Sequence, residues 1–173
     1  QAFARVYAEE PSARLVMIGD GELMGVCRDL VTALGLQNRV SFVGARPHRE
    51  VLETMRAARA YVQHSVTALS GDMEGTPVAV MEAAGLGLPV VSTRHAGIPD
   101  VIDHGRTGLL VEERDVETMA SYMIDLAMNP LLAGAIGSEA RQDILAHHTD
   151  EVSVDHLRQI LSGRARPYIR ETR

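Results

Sequence analysis

The sequence has 173 residues, 46% of them hydrophobic and 23% charged, a balance typical of one globular domain with its own core. The formal net charge is -6, which argues against a nucleic-acid partner, because proteins that bind nucleic acids usually carry a basic face. The single cysteine, Cys27, excludes an internal disulfide, and no apolar run reaches the roughly 18–20 residues of a membrane-spanning helix.

Helical and extended patterns alternate along the first part of the chain. Residues 1–9 have helical spacing, and "ARLVMIGDG" predicts a buried strand that ends in a Gly-Asp-Gly turn. In residues 22–34 apolar side chains recur on one helical face. Cys27 lies among them, so we interpret it as a buried helical cysteine rather than a reactive thiol. "RVSFVG" predicts a second strand, "HREVLETMRAARA" a third helix and "AYVQHS" a third strand.

The same alternation continues to the end of the chain. A loop, "VTALSGDMEG", precedes a short apolar helix predicted over 77–85, and "PVVST" is a fourth strand. A glycine-containing loop, "RHAGIPDVIDHGRTG", leads to a fifth strand, "GLLV", and helices are predicted from 116 to Pro130, over 131–146 and over 151–162. This order predicts an α/β domain over 1–162, with a Rossmann-like parallel sheet and helices on both faces, followed by a polar tail over 163–173.

The segment "EGTPVAVME" places two glutamates, Glu74 and Glu82, around the predicted start of a helix. Thr76 suits the N-cap and Pro77 the first helical position, and Gly75 would let a ligand approach the backbone closely. The first turn of such a helix offers unpaired N–H groups to a phosphate, and a carboxylate can accept bonds from two hydroxyls. An exposed loop acid and a surface helix acid are an equally good interpretation of the spacing alone.

Longer stretches carry a resemblance to a known family. "RLVMIGDGELMGVCRDLVTALGLQNRVSFVGARPHREVLETMRAARAYVQHS" and "EGTPVAVMEAAGLGLPVVSTRHAGIPDVIDHGRTGLLV" resemble the C-terminal, donor-binding domain of family 4 glycosyltransferases of the GT-B type. These are retaining enzymes that use nucleotide-diphosphate sugars. The resemblance covers about residues 1–161 and implies half of a GT-B fold, with the first strand of the domain and an acceptor-binding N-terminal domain before residue 1.

The resemblance also implies roles for individual residues. Glu74 would contact the donor sugar and be the catalytic carboxylate, and Glu82 would hold the ribose hydroxyls. The remaining donor-binding positions are backbone and turn residues at the expected ligand edge of the sheet: Gly75, Thr76, Pro77, Val78, Ala79, Gly19, Gly21, Gly44, Ala45, Arg46, Pro47, His95 and Gly97.

Three departures from the family pattern stand out. The loop before Glu74 is longer than usual, Thr76 stands where an aromatic residue is common, and Asp100 stands where Glu is common. The Arg and Lys that stabilise the departing diphosphate in the family would precede residue 1, so we expect a fragment with little or no transferase activity alone.

No cofactor or metal is expected beyond the nucleotide-sugar substrate, and the acceptor is unknown. The pair His147-His148 is interpreted as solvated. His64, at the end of the third predicted strand, and Arg94, after the fourth, could reach a ligand. The expected location is cytoplasmic, or peripheral at the inner face of a membrane in the full-length protein.

Two other functions remain open. A GT-B epimerase of nucleotide sugars would share the architecture but should lack the paired-glutamate segment. A non-catalytic α/β binding module of the receiver type would need an acidic cluster after the first strand and a late Lys, which this sequence does not show.

Overall fold

The computed structural model describes residues 1–68, 70–71, 73 and 75–163. Their elements in chain order are α1 (Ala2–Glu9), β1 (Leu15–Ile18), α2 (Met24–Ala33), β2 (Val40–Gly44), α3 (His48–Arg56), β3 (Tyr61–Gln63), α4 (Val78–Gly85), β4 (Val90–Thr93), α5 (Ile98–Val101), β5 (Gly108–Val111), α6 (Val116–Met128), α7 (Pro130–His147) and α8 (Asp150–Leu161). The predicted α/β alternation is confirmed. The short helix α5 was predicted as loop.

All strand pairs are parallel, but they form two ladders. β1 pairs with β2, with Leu15 opposite Val40, and β4 lies between β3 and β5, with Val90 opposite Tyr61 and Gly108. Within the described residues no ladder joins β1 to β3. The further central strand that the resemblance implies would precede Gln1, and it stays a prediction.

Helix α6 holds the two ladders in one domain. Its residue Leu126 is fully buried in a cluster with Val91 of β4 and Val111 of β5. A neighbouring cluster puts Phe3 and Val6 of α1 against other residues of α6 and against β1 and β2. The β1–β2 ladder is therefore packed onto the rest of the domain through helices rather than through strand hydrogen bonds.

Helix α4, which begins at the predicted ligand site, packs against α7. Val80, Ala83 and Ala84 of α4 are buried, and Ala84 lies in one cluster with Ile144 of α7. At Gly137 of α7 a Cβ would overlap the backbone of Gly87, so only glycine permits this close approach. The packing fixes where α4 starts, and hence the position of its N-terminus.

The prediction that Cys27 is a buried helical residue is only partly correct. Cys27 is half-buried in α2, and within that helix no residue is fully buried. Leu23 and Val26, expected on its apolar face, are 70% and 63% exposed. Periodicity identified the helix, but this helix does not bury the apolar side chains that revealed it.

Among the described residues, no single helix is long and apolar enough to span a membrane. Only the pair Val116–Met128 and Pro130–Leu161, bent by 104°, meets the length and composition requirement together.

Candidate donor-binding site

The candidate site lies at the carboxyl ends of the parallel strands, where an open α/β sheet binds ligands. Each strand is followed there by a loop that contains a predicted site residue or one of its contacts. β1 leads to Gly19, β2 to the turn Gly44–Pro47, β3 to the loop before α4, β4 to His95 and β5 to Glu113. The topology thus brings together segments that are up to 94 residues apart in the sequence.

The N-terminus of α4 faces this edge, one residue later than predicted. The N-cap is Pro77, with φ -63° and ψ 124°, so the helix begins at Val78 and no side chain caps it within the described residues. The expectation that Thr76 is the N-cap is wrong, because the extended ψ of Pro77 makes that residue the last one before the helix. Val78 is 62% exposed, so the start of the helix is open to a ligand. The N–H of Val80 donates to the carbonyl oxygen of Pro77 at 3.0 Å, so the N–H groups that a ligand would meet are those of Val78 and Ala79.

Glu82 lies one turn into α4 and reaches across to the β2–α3 turn. One oxygen, Oε1, is 2.6 Å from Nε2 of His48, the first residue of α3. The Glu82 side chain is 25% exposed and that of His48 is 67% exposed, so the carboxylate is partly shielded yet still reachable. The structure therefore places Glu82 beside the Gly44–Pro47 turn, although the two are distant in the sequence.

The two glycine turns of the β1–β2 half meet each other. The N–H of Gly19 donates to the carbonyl oxygen of Gly44 at 3.0 Å, and both residues have positive φ, 124° and 69°. Only glycine adopts these angles without strain, which explains the residue type at both positions. Gly21 follows in an exposed turn, where its N–H donates to Asp20 Oδ1. Ala45, Arg46 and Pro47 are exposed.

His95 is placed differently from the other predicted contacts. Its side chain is 1% exposed, and Nδ1 lies 2.7 Å from Oε1 of Glu113. The carboxylate also accepts bonds from the N–H and hydroxyl of Thr67, at 3.0 and 3.2 Å. The bond from His95, followed by that from the Thr67 N–H, holds the pKa of Glu113 below its usual range. His95 is therefore covered by protein and does not face the open site.

Gly97 lies against Thr76, two residues before α4 begins. A Cβ at this position would overlap Oγ1 of Thr76 and lie 3.4 Å from its Cβ. The glycine is thus required by close packing between the β4–α5 loop and Thr76. Gly97 therefore lies next to the N-terminus of α4, at the edge of the sheet where the sequence predicts it.

Three contacts were not singled out from the sequence: His48, Thr67 and Glu113. Glu113 follows two residues after the end of β5, so the rule that strand ends share one edge could have identified it. His48 follows the predicted turn directly. The contacts of Glu82 with His48 and of His95 with Glu113 have no signal in the sequence, because each joins residues from separate segments of the chain.

The remaining residues considered from the sequence, His64, Arg94, His147 and His148, make none of the contacts described above. His147 is exposed, whereas the half-buried His148 has Nε2 3.9 Å from Asp143, so the prediction of a solvated pair fails for His148. His64 is exposed after β3, and Arg94 pairs with Glu112 at 3.5 Å. Among the described residues no group of three or more His, Cys, Asp or Glu side chains could hold a metal ion.

The predicted catalytic residue, Glu74, lies outside the described residues, as do residues 164–173 of the predicted polar tail. The roles assigned to them stay predictions. Gly75 and Thr76, which are described, place the chain immediately after Glu74 at the N-terminus of α4.

The sequence of this chain matches a known protein family and several known proteins. The family model described as "Glycosyl transferases group 1" matches residues 1–143. The amylovoran biosynthesis glycosyltransferase AmsK of Erwinia amylovora is 33% identical over 145 residues, which are 84% of this chain and 36% of that protein.

Two solved structures share the fold. Anabaena Alr3699/HepE in complex with UDP-glucose is 25% identical, with a TM-score of 0.76 over 94% of this chain and 44% of that chain. A mutant of S. aureus TarM in complex with fondaparinux, alpha-GlcNAc-glycerol and UDP has a TM-score of 0.78 at 21% identity, over 93% of this chain and 31% of that chain. This chain thus spans less than half the length of these relatives.

Proposed function

The chain belongs to the group 1 glycosyltransferase family, and from that premise we propose that it forms the donor-binding domain of a retaining, family 4 glycosyltransferase. The donor would be a nucleotide-diphosphate sugar, a proposal supported by the Anabaena structure, which is a complex with UDP-glucose. The acceptor and the residues that bind it would belong to the remainder of the full-length protein.

One observation carries this proposal: the contact between Glu82 and His48. It joins the helix whose N-terminus suits a diphosphate to the turn that would flank the nucleobase. In a UDP-, GDP- or ADP-sugar a ribose lies between the base and the diphosphate, and its two hydroxyls are donors that a carboxylate accepts. Glu82 has the position and the chemistry for that middle part of the ligand.

The start of α4 supplies the electrostatics of the transfer. When the bond between the sugar and the diphosphate breaks, negative charge develops on the leaving phosphate oxygens. The N–H groups of Val78 and Ala79 and the positive end of the helix dipole would stabilise that charge. Thr76 would add its backbone amide, and Glu74 would contact the sugar. The sugar carbon would then bond to an acceptor oxygen on the face that the diphosphate leaves, and the acceptor's hydroxyl proton would pass to the departing phosphate oxygen, which gives retention.

Further positive charge would come from residues outside this chain, so we expect the isolated 173 residues to have little or no transferase activity. Measurable turnover of a nucleotide sugar by the isolated chain would refute this part of the proposal.

Binding of nucleoside diphosphates to the full-length protein tests the site itself. UDP, GDP and ADP are titrated, with the sugar nucleotides of each base in parallel, and melting temperature and calorimetric Kd are recorded. A ligand that binds only the native state raises its stability, so one of the three series should shift the melting temperature. Glu82→Ala should weaken binding by about 10- to 100-fold, because it removes hydrogen bonds to a charged acceptor.

Glu53→Ala is the matched control. Glu53 is also a helical glutamate next to a basic side chain, with Oε1 2.9 Å from Arg49, but it lies on the exposed part of α3. The donor-site proposal fails if no nucleoside diphosphate binds, or if Glu82→Ala and Glu53→Ala have the same effect.

A further inference from the structure

Two loops at the sheet edge hold the donor segment by both of its ends. The donor segment is the stretch from Thr67 to Thr76, which lies within the connection between β3 and α4 and includes position Glu74 in the sequence. The assignment of this stretch to the sugar end of the donor rests on the proposed function.

The first attachment is at Thr67. Glu113, just after β5, accepts bonds from both the N–H and the hydroxyl of this residue, and its Oε1 is shared with Nδ1 of His95. At neutral pH a carboxylate only accepts hydrogen bonds, so Nδ1 of His95 carries a hydrogen and donates the hydrogen bond to Glu113. Loops from three strands, β3, β4 and β5, therefore meet at one carboxylate.

The second attachment is at Thr76. The same β4–α5 loop that carries His95 brings Gly97 into close packing against the Thr76 side chain. Ala96, between the two, has a φ of 43°, which is uncommon for a residue other than glycine. The loop is therefore held in an unusual conformation that links the two attachments.

Burying the imidazole of His95 carries a cost that a residue with only a packing role would avoid. Nε2 is buried and has no hydrogen-bond partner within the part of the chain that the structure describes. A buried polar atom without a partner destabilises a fold, and an apolar side chain of similar size would avoid that cost. The imidazole is thus better explained by what Nδ1 does than by packing.

We propose that His95 and Glu113 are positioning residues for the sugar-facing part of the donor site. Glu113 holds Thr67 at the start of the donor segment, and His95 orients Glu113. Neither touches the donor. Their effect is on how well the segment fits the sugar, and the nucleoside diphosphate is held by α4 and the Gly44–Pro47 turn independently of them.

The test compares two ligands in the full-length protein, a nucleotide sugar and its own nucleoside diphosphate. The probes are UDP-glucose with UDP, GDP-mannose with GDP and ADP-glucose with ADP, and the pair that binds wild type is used for all variants. For His95→Ala and Glu113→Gln, the Kd of the sugar nucleotide should rise by about tenfold relative to that of the diphosphate. In kinetics, KM for the donor should rise more than kcat falls.

Conservative variants separate the two nitrogens of the imidazole. In His95→Asn the side-chain amide can donate from near the place of Nδ1, whereas in His95→Gln it reaches towards that of Nε2. Asn should restore most of the sugar-dependent affinity and Gln should not. Glu112→Gln is the matched control for Glu113→Gln, because Glu112 is the preceding carboxylate and pairs with Arg94 in a mostly exposed position.

Three results would overturn the inference. Equal weakening of both ligands would make the pair a general part of the fold. Restoration by Gln but not by Asn would mean that Nε2 contacts the ligand directly, and an unchanged Kd ratio in Glu113→Gln would exclude its role. If His95→Ala does not fold, the Asn, Gln and Glu113→Gln variants still decide. Failure of the donor site itself is recognised separately, since Glu82→Ala would then have no effect and no nucleoside diphosphate would bind.

Discussion

The two ladders of the sheet differ in how completely they are buried. β4 and β5 are buried at every position and β3 is half-buried, whereas β1 and β2 together have one buried residue, Val40. The helices follow the same division: α4 buries three residues and α2 none. The half built on β4 thus carries the buried helix α4 and the His95–Glu113 pair, and the half built on β1 contributes the glycine turns. We expect the precision of the site to depend on the first half.

The largest difference should appear when a leucine is truncated in each half. Leu126 of α6 is fully buried against β4 and β5, so Leu126→Ala should cost about 2–5 kcal/mol of unfolding free energy. Leu30 of α2 is 37% exposed, so Leu30→Ala should cost about 1 kcal/mol or less. Urea denaturation of both variants measures the two values. Equal losses would contradict the comparison.

A pair of glycines in α7 tests how tightly the well-packed half is held around α4. Gly137→Ala should destabilise the protein by about 1–3 kcal/mol, because the new Cβ would overlap the carbonyl of Gly87 and lie 2.9 Å from its carbon. Gly134→Ala, one turn earlier, meets no atom within 4 Å and should stabilise the helix by about 0.5–1 kcal/mol. Opposite signs in thermal unfolding are the expected outcome, and the same sign for both would show that α7 can move away from α4.

Amide hydrogen exchange should separate the two ladders without any mutation. β4 has a partner strand on each side, whereas β1 is paired only with β2 among the described residues. Amides of Val91 and Ser92 should therefore exchange at least about tenfold more slowly than those of Val16 and Met17. Similar protection in both strands would indicate that they open as one cooperative unit.

The smallest effect concerns pH and the Glu113 carboxylate. Its pKa is lowered in the folded protein, chiefly by the bond from His95, so the folded state binds fewer protons than the unfolded state at mildly acid pH. The contribution of Glu113 to stability is present above the usual glutamate pKa of about 4.3 and is lost as pH falls through the lowered value.

The stability difference between wild type and Glu113→Gln should accordingly be largest near neutral pH and shrink towards pH 3. Chemical denaturation at several pH values measures it, and Glu112→Gln, in a mostly exposed pair, should show a smaller difference. A difference that stays constant from pH 7 to pH 3 would mean that the charge of Glu113 does not matter.

Much of the fold could be predicted because the elements are local. Apolar runs identified every strand, and helical spacing of apolar residues identified α2, α3 and α6. Helix α5 was missed, since a helix of four residues, Ile98–Val101, leaves too few positions for periodicity to show. The N-cap at Thr76 was predicted from residue type alone, and the backbone of Pro77 decided otherwise.

The sequence by itself determined which residue types stand where strands end: glycines that allow positive φ at 19 and 44, and a carboxylate at Glu82 inside an apolar helix. Only the tertiary structure decided their partners, because Glu82 with His48, and His95 with Glu113 and Thr67, come from different loops. It also decided that His95 is buried. Short-range patterns reflect local backbone preferences, whereas a hydrogen bond between distant loops depends on the register and order of the parallel strands that bring their ends together.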